Sequence, residues 1–125
     1  MNLYTASINY KGEDRLDISV KTGNLIYAPT WDLVMGIKKG FIDKDKYIRS
    51  YMKMMRISYN HHRLEWNELL SKDEVTLVCY CHRNTFCHRY ILAYMLTKLG
   101  AVYMGERTGN NPEWVEEFFK MLEDK

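Results

Sequence analysis

Cysteine, proline and long apolar runs are all scarce in this 125-residue sequence. With only two prolines and no low-complexity tract there is no visible linker, so we expect residues 1–125 to form a single domain. No apolar run approaches the roughly 18 residues of a membrane span, so we expect no membrane partner. The N-terminus lacks a basic start followed by an apolar stretch, and the sequence therefore predicts no signal peptide.

The three cysteines all fall between positions 79 and 87. An odd number of cysteines in one short segment is unlike the framework of a secreted disulfide-rich domain. A chain of this size buries about two-thirds of its unfolded surface, which suffices for a core without disulfides or metal. We therefore expect a cytoplasmic protein whose thiols are reduced.

Acidic residues are missing from one long stretch of the chain. None lies in the 31 residues between Glu74 and Glu106, whereas Arg83, Arg89 and Lys98 do. An uncompensated positive region attracts anions, although a buried strand and helix would exclude carboxylates equally well. The net charge of +2 is too small to indicate a nucleic-acid-binding protein by itself.

Strand patterns and helix patterns alternate along the chain. A near-continuous apolar run over 75–80 is typical of a buried, central parallel strand. Three other strands are predicted, over 3–10, 16–20 and 101–104. Helices are predicted to begin at three N-caps, namely Thr30, Asp43 and Asn111, the last of which precedes Pro112. Two more helices are predicted over 64–70 and from about 88 to Gly100. This order predicts a small three-layer α/β domain with a largely parallel sheet flanked by helices.

Residues 81–89 read Cys-His-Arg-Asn-Thr-Phe-Cys-His-Arg and join the strand over 75–80 to a helix. Ligands of open α/β sheets bind outside the carboxyl ends of the strands. A helix N-terminus also attracts anions and can lower the pKa of a thiol. We therefore expect an anion site here, with the Arg89 guanidinium suited to a phosphate or carboxylate.

The same segment supplies the candidate catalytic groups. Cys87 or Cys81 is the predicted nucleophile, and Asp17 is the predicted general base if its strand neighbours that of residues 75–80. For Cys87, a structural role in shaping the loop is as plausible as a catalytic one. For Asp17, an ordinary salt bridge is as plausible as a role as a base. The predicted substrate-binding residues are Arg89, His88, Arg83 and Trp31. A hydrophobic staple at the start of its helix is the alternative role for Trp31.

Three other chemistries fit the cysteine spacing poorly. A tyrosine-phosphatase loop needs a cysteine six positions before an arginine, and position 87, six after Cys81, is a cysteine. A redox pair of Cys81 and Cys87 lacks the Cys-x-x-Cys spacing. Cys79, Cys81, Cys87 and His88 are all zinc-ligand types but lack the paired short spacings of structural zinc sites. The sequence thus predicts no metal and no cofactor, with a metal-binding structural loop as an alternative.

The segment around Cys87-His88-Arg89 resembles the domain-of-unknown-function 488 family. The signature of that family is a hydrophobic strand ending near a cysteine, followed by Cys-His-Arg at the start of a helix that continues with Leu-Ala. Residues 75–81 and 87–93 fit this signature. The resemblance implies a three-layer α/β fold and supplies no reaction.

Two further places bear on the resemblance. Leu-Gly-Ala-Val at 99–102 fits the family pattern, as does Asp17 after an early strand. The family commonly has Asp-Val-Arg at the early strand, whereas this chain has Asp17-Ile18-Ser19 and lacks that second arginine.

These observations together predict a small enzyme acting on a nucleotide-like or phosphorylated anionic substrate at the Cys-His-Arg loop. The alternative is a non-catalytic binding module for a nucleotide or nucleic acid, which would use the same positive loop and nearby aromatic side chains. The expected partner is an anionic small molecule or nucleotide, with nucleic acid as the second possibility.

Overall fold

The computed structural model of the chain describes residues 1–80, 87–107 and 112–124. Within these ranges four strands and five helices follow one another in the predicted order, which confirms the α/β class. The elements are β1 (Asn2–Ser7), β2 (Arg15–Asp17), α1 (Trp31–Lys38), α2 (Lys44–His61), α3 (Arg63–Leu70), β3 (Glu74–Cys79), α4 (His88–Lys98), β4 (Val102–Glu106) and α5 (Val115–Leu122).

The four strands form one parallel sheet in the order β2-β3-β1-β4. β3 lies between β2 and β1, and its residues from Val75 to Cys79 are buried. The prediction of an interior strand at 75–80 is therefore confirmed, except that the strand ends one residue earlier. Because all strands run the same way, their carboxyl ends meet at one edge of the sheet.

Two of the predicted helix caps are present. The Thr30 hydroxyl accepts a hydrogen bond from the backbone N–H of Leu33, and the Asp43 carboxylate accepts one from Lys46. Each satisfies a backbone donor that the first helical turn leaves unpaired. The cap predicted at Asn111 lies outside the described residues.

Both early strands are shorter than their sequence patterns predict. β1 ends at Ser7, because the carbonyl of Ser7 accepts a hydrogen bond from the N–H of Tyr10 and closes a turn. β2 ends at Asp17, whose carboxylate accepts hydrogen bonds from Ser19 and Thr22. In both places local turn bonds replace the sheet ladder.

One face of the sheet is covered by helices. α4 packs across β1, β3 and β4, and α2 and α5 pack against α4. The side chains from His88 to Ala93 are all buried, so this helix start lies inside the protein. Across the described ranges no helix is both long and apolar enough to cross a membrane.

The connection between β1 and β2 and the residue after β4 contact the opposite face. The Thr76 hydroxyl donates a hydrogen bond to Asp14 at 2.6 Å, and the Arg107 guanidinium stacks on the ring of Tyr4. Parallel strands are usually joined through a crossover of a dozen or more residues, and this connection spans only 8–14. A short loop therefore makes the crossover from β1 to β2, whereas the connections from β2 to β3 and from β3 to β4 contain helices.

Candidate functional site

Polar and sulfur-containing side chains collect where α4 begins, at the carboxyl edge of the sheet. β3 ends at Cys79, β4 ends at Glu106, and Cys87 is the N-cap residue of α4. His88 and Arg89 form the first turn of the helix. We call these five residues the α4 cluster.

The two described thiols of the cluster are in contact. Cys79 Sγ lies 2.8 Å from Cys87 Sγ, and both side chains are buried thiols. Cys79 ends a buried strand, and Cys87 has extended backbone just before α4. The return of the chain from strand to helix therefore brings two cysteines eight positions apart into contact.

The imidazole of His88 has a defined tautomer. Its Nε2 lies 2.7 Å from the carbonyl oxygen of Ile18, and a carbonyl can only accept, so Nε2 carries the proton. Burial lowers the pKa of His88, which keeps the ring neutral. Its Nδ1 is therefore an acceptor, 3.8 Å from the Sγ of Cys87.

Arg89 is completely buried and faces the thiols on one side. Its Nη1 donates to the Sγ of Cys79 at 3.3 Å, and its Nε lies 3.4 Å from Oε1 of Glu106. Burial disfavours the charged form, but the neighbouring Cys79, Cys87, Tyr90 and Glu106 outweigh it, and the pKa of Arg89 is raised. The cluster thus holds a permanent cation next to two sulfur atoms.

Glu106 is the residue of this site that the sequence analysis missed. Its Oε1 accepts hydrogen bonds from the hydroxyls of Thr5 and Tyr90, each at 2.6 Å. A signal was present, because Glu106 is the first acid after the 31-residue stretch that lacks acids and contains Arg89. The sequence pattern, however, predicts a strand that ends at residue 104, before Glu106.

A bulge in β4 turns Glu106 toward α4. Leu3 pairs with Tyr103 and Tyr4 pairs with Gly105, so Met104 has no partner on β1. Gly105 has a φ of +115°, a conformation that residues with a side chain rarely adopt. The extra residue reverses the alternation, and Glu106 lies beside Thr5 on the helix face.

Asp17 lies at the same edge, because β2 neighbours β3 as the prediction required. Burial raises the pKa of Asp17, but hydrogen bonds from Thr22 and Ser19 outweigh it and the net shift is downward. The carboxylate is therefore ionised. Its role as a general base stays a prediction.

The remaining predicted residues are Trp31, Cys81 and Arg83. Trp31 is the first residue of α1 and is half exposed. Cys81 and Arg83 are not among the described residues. The structure adds Tyr80, which is half exposed directly after β3 and has the Lys21 ammonium 5.6 Å from its ring centre.

Three side chains of the cluster are of metal-ligand type. The ligand atoms of Cys79, Cys87 and His88 all lie within 4.8 Å of one another, and all three residues are buried. Their spacing in the sequence is unlike that of structural zinc sites, but the fold brings the three groups together.

Comparison with known protein families gives one result. The model of the family described as "Active DUF488-N3 subclade" matches residues 7–100. This range includes Asp17 and most of the α4 cluster, and ends before Glu106. Searches of curated proteins and of solved structures found no match.

Proposed function

The chain belongs to the DUF488 family, in the subclade described as active DUF488-N3, and from this premise we propose that it is an enzyme acting on a nucleotide-like or phosphorylated anionic substrate. The observation that carries the proposal is the pairing of the Cys87 thiol with the Nδ1 acceptor of His88 beside the Arg89 cation. A thiol, a base and a cation are the parts that thiol-based nucleophilic catalysis requires.

Cys87 is the proposed nucleophile. It sits at the N-cap of α4, where the helix dipole and the positive charge of Arg89 favour a thiolate. Cys81, which lies outside the described residues, is the alternative nucleophile. Asp17 is the alternative base, at the end of β2.

His88 supplies the proton transfer in this proposal. Its neutral Nδ1 takes the proton of the Cys87 thiol, while Nε2 keeps its hydrogen bond to Ile18 and fixes the ring. The thiolate forms a bond to the substrate as the bond to the leaving group breaks, and the imidazolium returns its proton to that group. Water then cleaves the covalent intermediate and restores the thiol.

The test of the thiol is its alkylation rate with iodoacetamide as a function of pH. We expect the rate at Cys87 to reach half its maximum below the ordinary cysteine pKa of about 8.5. His88→Asn removes the proton acceptor and should return the midpoint toward that value, whereas His61→Asn, at the exposed end of α2, serves as control. Cys87 is buried, so a native protein whose Cys87 does not react, or reacts with an ordinary midpoint, contradicts the proposal.

The anion is tested separately by thermal unfolding with inorganic phosphate and with adenosine monophosphate. A ligand that binds only the folded state raises Tm, and we expect a rise with both probes. The double variant Arg89→Met/Glu106→Gln removes both buried charges together and should abolish the rise. Arg107→Met removes an arginine from the opposite face and should preserve it. An equal rise in the two variants would place the anion elsewhere.

A non-catalytic nucleotide-binding module is the second candidate. It is favoured by Tyr80, an exposed ring at the carboxyl edge of the sheet with the Lys21 ammonium above it. An exposed aromatic ring stacks on bases, and a lysine pairs with phosphate. Such a module predicts that Tyr80→Ala weakens adenosine monophosphate binding and that Cys87→Ser keeps full binding. Phe41→Ala, which removes an exposed ring between α1 and α2, is the control and should not weaken it.

A further inference from the structure

The thiols and imidazole of the α4 cluster have the composition of a metal site. Two thiolates and one imidazole are one of the ligand sets that zinc takes when three protein groups bind it and one position stays open. Cys79, Cys87 and His88 bring their ligand atoms within 4.8 Å of one another. We propose that these three residues bind one Zn²⁺ ion, a function that goes beyond the proposed catalysis and does not depend on it.

Two of the three distances between ligand atoms can be compared directly with those around a tetrahedral ion, and the third, from Cys79 Sγ to the ring of His88, is at most 4.8 Å. Bond lengths of about 2.3 Å to sulfur and 2.0 Å to nitrogen put two thiolates about 3.8 Å apart and a thiolate about 3.5 Å from an imidazole nitrogen. Cys87 Sγ and His88 Nδ1 are 3.8 Å apart, close to this value. The two sulfur atoms, at 2.8 Å, need to separate by about 1 Å, a change that side-chain rotation supplies.

The orientation of His88 is a second, independent observation. A histidine that binds a metal usually donates its other ring N–H to a carbonyl or carboxylate, which fixes the ring and its tautomer. His88 does this with Nε2 and the carbonyl of Ile18, and leaves Nδ1 toward Cys87. The ring is therefore already held in the orientation and tautomer that a metal ligand needs.

The charges around the site also balance. Two thiolates neutralise Zn²⁺, and Glu106 neutralises Arg89. The hydrogen bond from Arg89 Nη1 to the sulfur of Cys79 favours the thiolate form of that ligand. A buried site with no net charge avoids the desolvation cost of an isolated ion.

Binding has a chemical consequence for Cys87. The two thiols lose their protons on binding, and the sulfur lone pair that would attack a substrate is held by the metal. Bound zinc should therefore block alkylation of Cys87. This competition links the site to the proposed function without requiring that function to be correct.

The experiment is titration of the reduced full chain with Co²⁺ and then Zn²⁺. We expect one ion per chain, thiolate-to-cobalt charge-transfer absorption with the visible bands of a tetrahedral ion, and release of about two protons per zinc near neutral pH. One equivalent of Zn²⁺ should displace cobalt and stop alkylation of Cys87. A wild-type chain that gives neither the charge-transfer band nor stoichiometric zinc overturns the proposal.

Variants identify the ligands. We expect Cys79→Ser and Cys87→Ser to remove the tetrahedral cobalt spectrum, and His88→Asn to weaken zinc binding at least about 10-fold. His61→Asn, on the exposed end of α2, should bind as the wild type does. Full zinc binding by both serine variants would overturn the assignment of the ligands. If the serine variants fail to fold, the titration of the wild-type chain alone decides whether the site exists. A low-pKa Cys87 in a chain that binds no zinc would support the proposed function and defeat only this inference.

Discussion

The sheet carries arginine–carboxylate contacts on both faces. On the helix face Arg89 meets Glu106, and both side chains are fully buried. On the opposite face, here called the loop face, Arg107 meets Asp14 at 3.1 Å and Glu74 at 3.3 Å, and the Arg107 and Asp14 side chains keep 27% and 9% of their surface exposed. Glu106 and Arg107 are adjacent in sequence, so one strand end supplies a charge to each pair.

The surroundings of the two pairs share several groups. Each has a threonine from the sheet and two tyrosines nearby. These are Thr5, Tyr90 and Tyr103 on the helix face, and Thr76, Tyr4 and Tyr10 on the loop face. The two pairs therefore share these neighbours and differ in their access to water, and Arg89 in addition contacts the sulfur of Cys79.

Burial decides what each pair does for stability. Removing one partner of a buried pair leaves the other charge without water or a counterion, whereas water replaces a lost partner at the surface. A buried pair adds little to the free energy of unfolding, but removing only one of its partners is strongly destabilising. We infer that Glu106 is needed because Arg89 is buried beside the thiols, and that Arg107 and Asp14 mainly hold the β1–β2 connection on the sheet.

The largest expected effect is that of Glu106→Gln. It leaves Arg89 charged and buried, and should lower the free energy of unfolding by about 3–5 kcal/mol in urea denaturation at neutral pH. The double variant Arg89→Met/Glu106→Gln should lose less free energy of unfolding than the sum of the two single variants, because each single variant leaves one buried charge without its partner. A loss below about 1 kcal/mol for Glu106→Gln would mean that the two pairs are equivalent.

An intermediate effect is expected from Gly105→Ala. The φ of +115° suits glycine, and a side chain there should cost about 1–3 kcal/mol by the same measurement. The bulge sets the direction of Glu106, so this variant should also weaken the pairing with Arg89. Met104→Ala, at the exposed neighbouring position, is the control and should change stability little. Equal effects of the two variants would show that the bulge does not require glycine.

The smallest expected effect is that of Asp14→Asn. At this partly exposed pair the loss should be at most about 1 kcal/mol and should shrink as salt is added. Burial raises the pKa of Asp14, but hydrogen bonds from Thr76, Tyr10 and Arg107 outweigh it and the net shift is downward. A depressed pKa contributes stability above the unfolded-state pKa of about 3.9, and that contribution is lost as the pH falls below it. The difference between wild type and variant should therefore stay constant from pH 7 to about pH 5 and shrink only as the pH falls below about 3.9, and a difference that grows in acid would contradict this sign.

The sequence by itself determined the order and nature of the elements. The apolar run at 75–80, the caps at Thr30 and Asp43 and the placement of Cys87-His88-Arg89 at a helix start were all predicted and are present. These features depend on residues within one or two turns of each other, so local patterns are enough to reveal them. The family resemblance, confirmed by the match over residues 7–100, depends on the same short motifs.

Only the tertiary structure decided which groups of the site meet. The contact of Cys79 with Cys87, the bond from His88 to Ile18 and the pairing of Arg89 with Glu106 join different elements. The last depends on strand register, because one extra residue in β4 moves a side chain to the other face of the sheet. The same holds for the strand order β2-β3-β1-β4, in which only residues 8–14 connect β1 to β2. Register and strand order follow from packing across the whole chain, and a local pattern does not encode them.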